Sequence, residues 1–129
     1  MSLVDWLSKK QHIIETSVFR AECVALKHVM EALRGICYKI RMMGVPLSVF
    51  SYVYGDNISV IRNIQQPEST LRNKSNSICY HAVRDSVEML ETKILHISTH
   101  YNGSDLLTKL LYGAKRKTFV GKILYDIYY

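Results

Sequence analysis

From Ser17 onward the apolar residues Phe19, Cys23, Leu26, Met30, Leu33, Cys37 and Ile40 recur at alternating steps of four and three. That spacing follows the helical period, so all seven fall on one stripe of an α-helix. Thr16 or Ser17 is placed to cap its free amides, and Gly44 followed by Val45-Pro46 ends it, because proline removes a donor and restricts its predecessor. The pattern predicts a helix from about Ser17 to Met43.

The run Val49-Phe-Ser-Tyr-Val-Tyr54 is β-branched and aromatic and stops at Gly55, which predicts a buried strand with Asp56 at its carboxyl end. A short helix over Asn57–Ile64 follows, then a loop through Pro67 that carries Arg72 and Lys74. The next helix is expected from about Ser77 to Leu90, packing Cys79, Val83, Val87 and Leu90. Thr92 to Ser98 alternates as a strand does, and Asn102-Gly103 turns the chain into a helix beginning near Ser104 and Asp105. At the front, Met1 to Lys10 alternates partly around Trp6, which suggests a short strand and a basic turn. Strands alternating with helices imply an α/β domain of two or three layers with parallel strands.

Composition narrows the class. The chain has 129 residues, room for one ordinary hydrophobic core, and at 48% hydrophobic and 22% charged it reads as globular rather than disordered. The formal net charge of +6 favours anionic partners, nucleic acid before acidic protein or membrane. No apolar run approaches the roughly 18 to 20 residues of a membrane span, and charges stand where a signal peptide would be apolar, so a cytoplasmic or nuclear location is expected. Three widely spaced cysteines, Cys23, Cys37 and Cys79, form no C-x-x-C pair and are expected to be buried reduced thiols. His12, His28 and His96 have no zinc spacing, and neither a serine elbow nor a phosphate-cradling glycine loop is present.

Three acids stand at predicted element ends: Glu22 in the first turns of the long helix, Asp56 after the buried strand, and Asp105 at the start of the late helix. Such ends are where α/β domains place their sites. Carboxylates converging from distant positions suit hard divalent cations, a pair of which can activate water and stabilise a leaving oxygen in phosphodiester hydrolysis. An acid at a helix start also answers the helix dipole or caps amides, and position alone leaves both readings open.

The blocks Trp6-Leu-Ser-Lys-Lys-Gln11, Phe19-Arg-Ala-Glu-Cys-Val-Ala-Leu26 and Met43-Gly-Val-Pro-Leu47 resemble the ribonuclease H region of copia-type retrotransposon polyproteins. The likeness continues in Tyr54-Gly-Asp-Asn-Ile-Ser-Val60, in Lys74-Ser-Asn-Ser-Ile-Cys-Tyr-His81 with Arg84, and in Asn102-Gly-Ser-Asp-Leu-Leu-Thr-Lys109. Six blocks in the family's order cover nearly the whole chain. The resemblance implies a ribonuclease H-like α/β fold over residues 1–112, with 113–129 as a basic aromatic tail. It implies that Glu22, Asp56 and Asp105 match the second, third and fourth metal carboxylates, with Mg2+ or Mn2+ as cofactor and an RNA–DNA hybrid as substrate.

The same resemblance implies that the family's first two strands, and the first catalytic aspartate on them, precede the equivalent of Trp6. Hydrolysis by this chain alone is then expected to be weak or absent. Asp5 is a superficial substitute, but Ser8-Lys-Lys-Gln11 sets its register to the third strand. That strand would either relocate beside the Val49–Tyr54 strand or be completed by another chain, a second copy included. Arg20 and Cys23 around Glu22 depart from the small and aromatic residues common in the family.

Lys74, His81 and Arg84 are candidates for phosphate contacts, with a solvated helix face as the alternative. His100 matches only by position a histidine that assists product release. Lys115, Arg116 and Lys117, set among aromatics, offer a second nucleic-acid surface, against which stands simple packing of a terminal amphipathic helix. A non-catalytic α/β module that binds protein or nucleic acid remains the second reading.

Overall fold

The computed structural model describes residues 5–8, 18–66 and 77–123. It divides into two compact units, one of Glu15–Ile97 and one of Met1–Ile14 with Ser98–Tyr129.

In the Glu15–Ile97 unit the elements are α1 (Val18–Met42), β1 (Ser51–Gly55), α2 (Ile58–Gln65), α3 (Ser77–Glu88) and β2 (Thr92–His96). The four-three stripe does form one helix face: Cys23, Leu26 and Met30 are buried, with Phe19 and Leu33 packed beside them. Gly44 closes α1 in the left-handed region at φ 81°, its amide reaching Arg41 O while Val45 N reaches Ile40 O. Only glycine adopts that conformation without steric cost.

The strands pair in parallel, Ser51 opposite Thr92 through Gly55 opposite His96, as alternating strands and helices require. One face of this two-stranded sheet lies in the core. Val53 and Ile94 join Val60, Ile61, Ile64, Tyr80 and Val83 from α2 and α3, each buried side chain contributing roughly 1.5–3 kcal/mol. Tyr80 donates to Asn63 O at 3.0 Å, tying α3 to α2, and Gln65 Nε2 donates to Ile94 O at 2.8 Å.

Expected boundaries shift by up to two residues, the second strand ending at His96 rather than Ser98. The first strand begins at Ser51 rather than Val49, because its partner begins at Thr92 and a ladder extends only where both chains pair. The helix α3 ends at Glu88 rather than Leu90, since Leu90 takes φ 56° and Glu91 N reaches back to Ser86 O. The loop carrying Arg72 and Lys74, and the capping residues Thr16 and Ser17, lie outside the described residues.

In the other unit, the strand expected over Met1–Lys10 is not formed at its described part, Asp5–Ser8. Trp6 and Leu7 are both exposed, so the partial alternation buries neither, and Ser8 Oγ instead donates to Leu107 O at 3.3 Å. The helix expected from Asp105 lasts four residues, α4 (Asp105–Thr108), because Lys109 turns extended at φ −131°. A second helix, α5 (Gly113–Ile123), takes up the basic tail and buries Phe119. Among the described residues no helix is long and apolar enough to cross a membrane.

Candidate functional site

Asp56 occupies the bend between β1 and α2, half-buried at the strand's carboxyl end. Its backbone is held from both sides. Ile97 N donates to Gly55 O at 2.9 Å, carrying the parallel ladder to the last strand residue. The Asn57 side chain then accepts from Ser59 N and Val60 N, capping α2. The sequence therefore places this carboxylate where a strand ends and a helix starts, as expected.

Glu22 stands half-buried in the first turns of α1, beside fully buried Cys23. Burial, with Cys79 and the Glu22 charge nearby, pushes the Cys23 thiol up to about 11. A thiol so raised stays protonated at neutral pH and is no nucleophile. The three cysteines are free thiols, Cys23 buried and Cys37 and Cys79 partly so.

Asp105 belongs to the other unit and is 3% exposed. Its carboxylate receives Lys109 Nζ at 2.9 Å and Lys115 Nζ at 4.0 Å. Lys115 also donates to Thr99 O at 3.4 Å and stands 5.4 Å from the Phe119 ring centre. The first of the three tail cations thus serves the interior of its unit, whereas Arg116 and Lys117 are exposed.

Carboxylate oxygens are the donors a hard divalent cation prefers. Within neither unit, however, do three His, Cys, Asp or Glu side chains gather into a metal-binding group among the described residues. Glu22 and Asp56 lie in one unit and Asp105 in the other.

On α3, Arg84 donates through Nε to Glu88 at 2.9 Å and through Nη1 to the Tyr80 hydroxyl at 3.2 Å. Glu88 holds its guanidinium above the ordinary range. Arg84 therefore braces α3, and a phosphate would have to compete with Glu88. His81 is exposed, its ring edge-on to Tyr80 at 5.3 Å. Lys74 lies outside the described residues.

A clamp that no sequence motif announces stands at the opposite end of the sheet. Arg34 of α1 donates through Nε to Glu91 at 2.9 Å and through Nη2 to Ser86 Oγ at 2.6 Å, joining α1 to the α3–β2 connection. Beside it opens a groove of about 560 Å³ at the amino ends of both strands, whose walls include Tyr38, Arg41, Phe50 and Thr92. The sole available signal was Arg34 falling next to Leu33 of the apolar stripe, which is too common to single out.

Three curated proteins are similar to the chain. It is 30% identical over 120 residues to "Retrovirus-related Pol polyprotein from transposon RE2" of Arabidopsis thaliana, an alignment covering 93% of the chain. It is 29% identical over the same length to the corresponding polyprotein from transposon RE1 of that plant. Against that from transposon TNT 1-94 of Nicotiana tabacum it is 28% identical over 108 residues, 84% of the chain. The matched segment spans about 8% of each relative's own length. No family model matches, and no solved structure matches.

Proposed function

The homologues of this chain are retrovirus-related Pol polyproteins of plant transposons, and from that premise we propose that it is the ribonuclease H segment of a copia-type element. The observation that carries this reading is Asp56. It stands at the carboxyl end of a parallel strand, in a bend pinned by Ile97 on one side and by the Asn57 cap on the other. The block Tyr54-Gly-Asp-Asn that resembles the family's is the block that builds this bend.

In this reading Glu22, Asp56 and Asp105 are the residues the resemblance matches to the family's metal carboxylates, and Mg2+ or Mn2+ would supply activation of water and stabilisation of the leaving oxygen during phosphodiester hydrolysis. The chain's own residues contribute oxygen donors of the right hardness. The substrate class is an RNA–DNA hybrid. Lys109 and Lys115 must release Asp105 before it can ligate a metal, because an ammonium and a divalent cation compete for the same carboxylate oxygens.

That competition favours a second reading, in which Asp105 is a structural anion and the chain a non-catalytic module. A labelled RNA–DNA hybrid incubated with the chain and Mg2+ or Mn2+ separates the two. Metal-dependent cleavage, however weak, that falls in Glu22→Gln and Asp56→Asn supports the hydrolase. Hybrid binding without metal and without cleavage at any metal concentration overturns it in favour of the module.

A further inference from the structure

The face of the β1–β2 sheet turned away from the core is chemically unusual. Side chains alternate along a strand, so with Val53 and Ile94 inward, Tyr52, Tyr54, Lys93 and Leu95 share the outer face. Tyr52 and Tyr54 are 52% and 58% exposed, although a parallel sheet ordinarily has both faces covered. Phe50, just before the strand, extends the row: its ring meets Tyr52 edge-to-face at 5.4 Å, and the Lys93 ammonium stands 5.6 Å from its centre.

The geometry points to this face as a binding platform for single-stranded nucleic acid that is independent of any metal. Aromatic faces stack bases without regard to sequence, and cations beside them meet the phosphates. Tyr52 and Tyr54, two residues apart on one strand, are about 6.6 Å apart, enough to receive consecutive unstacked bases. Lys93 lies across from Tyr52 in register.

Charge selects the occupant. Phe50 also forms a wall of the groove at the strands' amino ends, where exposed Arg41 continues the cationic surface and Arg34 already neutralises Glu91. The outer strand positions carry no carboxylate, and the chain bears a net charge of +6. Among the described residues the outer strand positions give a protein partner little aliphatic surface, Leu95 being half-buried, and the exposed aliphatics nearby, Val49, Met89 and Leu90, line the groove at the amino ends instead. A strand of nucleic acid gains from the tyrosines, Lys93 and Arg41 together.

Fluorescence anisotropy of the full chain with a labelled oligothymidylate of about 12 nucleotides, within the usual range of single-strand sites, tests this in EDTA. Excluding metal separates the platform from the proposed hydrolase. Tyr52→Ala and Tyr54→Ala should each weaken binding roughly tenfold, whereas Tyr52→Phe and Tyr54→Phe, which keep the ring, should bind nearly as the parent does. Lys93→Gln should weaken binding and flatten its salt dependence.

Unchanged binding in the double alanine variant, with far-ultraviolet dichroism intact, overturns the proposal and moves the interaction elsewhere. Absence of binding by the parent also overturns it. If the parent instead sediments as a dimer that Tyr54→Lys dissolves, the face is a self-association surface and the proposal fails.

Discussion

The two units of the molecule bury different things. The Glu15–Ile97 unit closes over aliphatic and aromatic side chains, Val53, Val60, Ile61, Ile64, Tyr80, Val83 and Ile94. Among the described residues of the other unit the buried ones are Phe119 and Asp105, and the carboxylate is ringed by Lys109 and Lys115. One is held by removal of apolar surface from water. The other depends on a charge that is partly desolvated. Apolar burial involves no charge for ions to screen and no group that titrates near neutral pH, whereas ion pairs with lysines reaching solvent are screened.

The largest effect should come from cutting into the apolar unit. Ile94 is fully buried between β1 and the helices, and Ile94→Ala removes methyl and methylene groups the surroundings cannot refill. A loss of about 3 kcal/mol in urea unfolding is expected. A loss below about 1 kcal/mol would mean that this sheet face is not the core.

Asp105→Asn should cost less, about 1–2 kcal/mol, because both lysines retain access to water while the lost hydrogen bond was charge-assisted. The contrast sharpens with salt. Raising ionic strength should narrow the gap between parent and Asp105→Asn and leave the Ile94→Ala gap unchanged. Equal salt dependence in both variants would erase the distinction between the units.

A third comparison lies within the Glu15–Ile97 unit, where two helices end in the same way with different residues. After α1 the left-handed position is Gly44; after α3 it is Leu90, at φ 56° and exposed. In both, the amide three residues beyond the helix, Val45 or Glu91, bonds a carbonyl five residues back. A side chain in this conformation costs roughly 1 kcal/mol, so Leu90→Gly should raise stability by somewhat less than that, the unfolded chain gaining entropy in return. No gain in melting temperature would show that the turn stores no strain at Leu90.

That pair also explains what the sequence made legible. Gly44 before Val-Pro announced the end of α1, and the apolar stripe announced its buried face, because both signals are local. Leu90 carries no termination signal, so the pattern alone extends α3 past its true end at Glu88. Strand ends are hidden for a related reason: Val49 and Phe50 have β propensity, but the ladder starts where Thr92 begins to pair. Of the candidate site, the bend at Asp56 was readable from strand, glycine and cap. The lysines around Asp105 were not: Lys109, one helical turn on, closes after α4 has already ended, and Lys115 returns from α5.

The smallest effect at neutral pH concerns Cys23, and it links the core to a candidate carboxylate. Its thiol is raised from 9.0 to about 11, mainly by burial and further by Cys79 and Glu22. At neutral pH the thiol is protonated in the folded and unfolded chains alike, so this group gives no pH dependence there. Between about 9 and 11 the unfolded chain ionises it first and binds fewer protons, so stability falls as pH rises. Urea unfolding across that range should show a decline that is shallower in Cys23→Ala, and parallel curves would refute the assignment. Native-state alkylation should reach half-buried Cys37 before Cys23. Because the Glu22 charge contributes to the shift, Glu22→Gln should slightly hasten alkylation of Cys23. That gives a test of the carboxylate's ionisation that needs neither metal nor substrate.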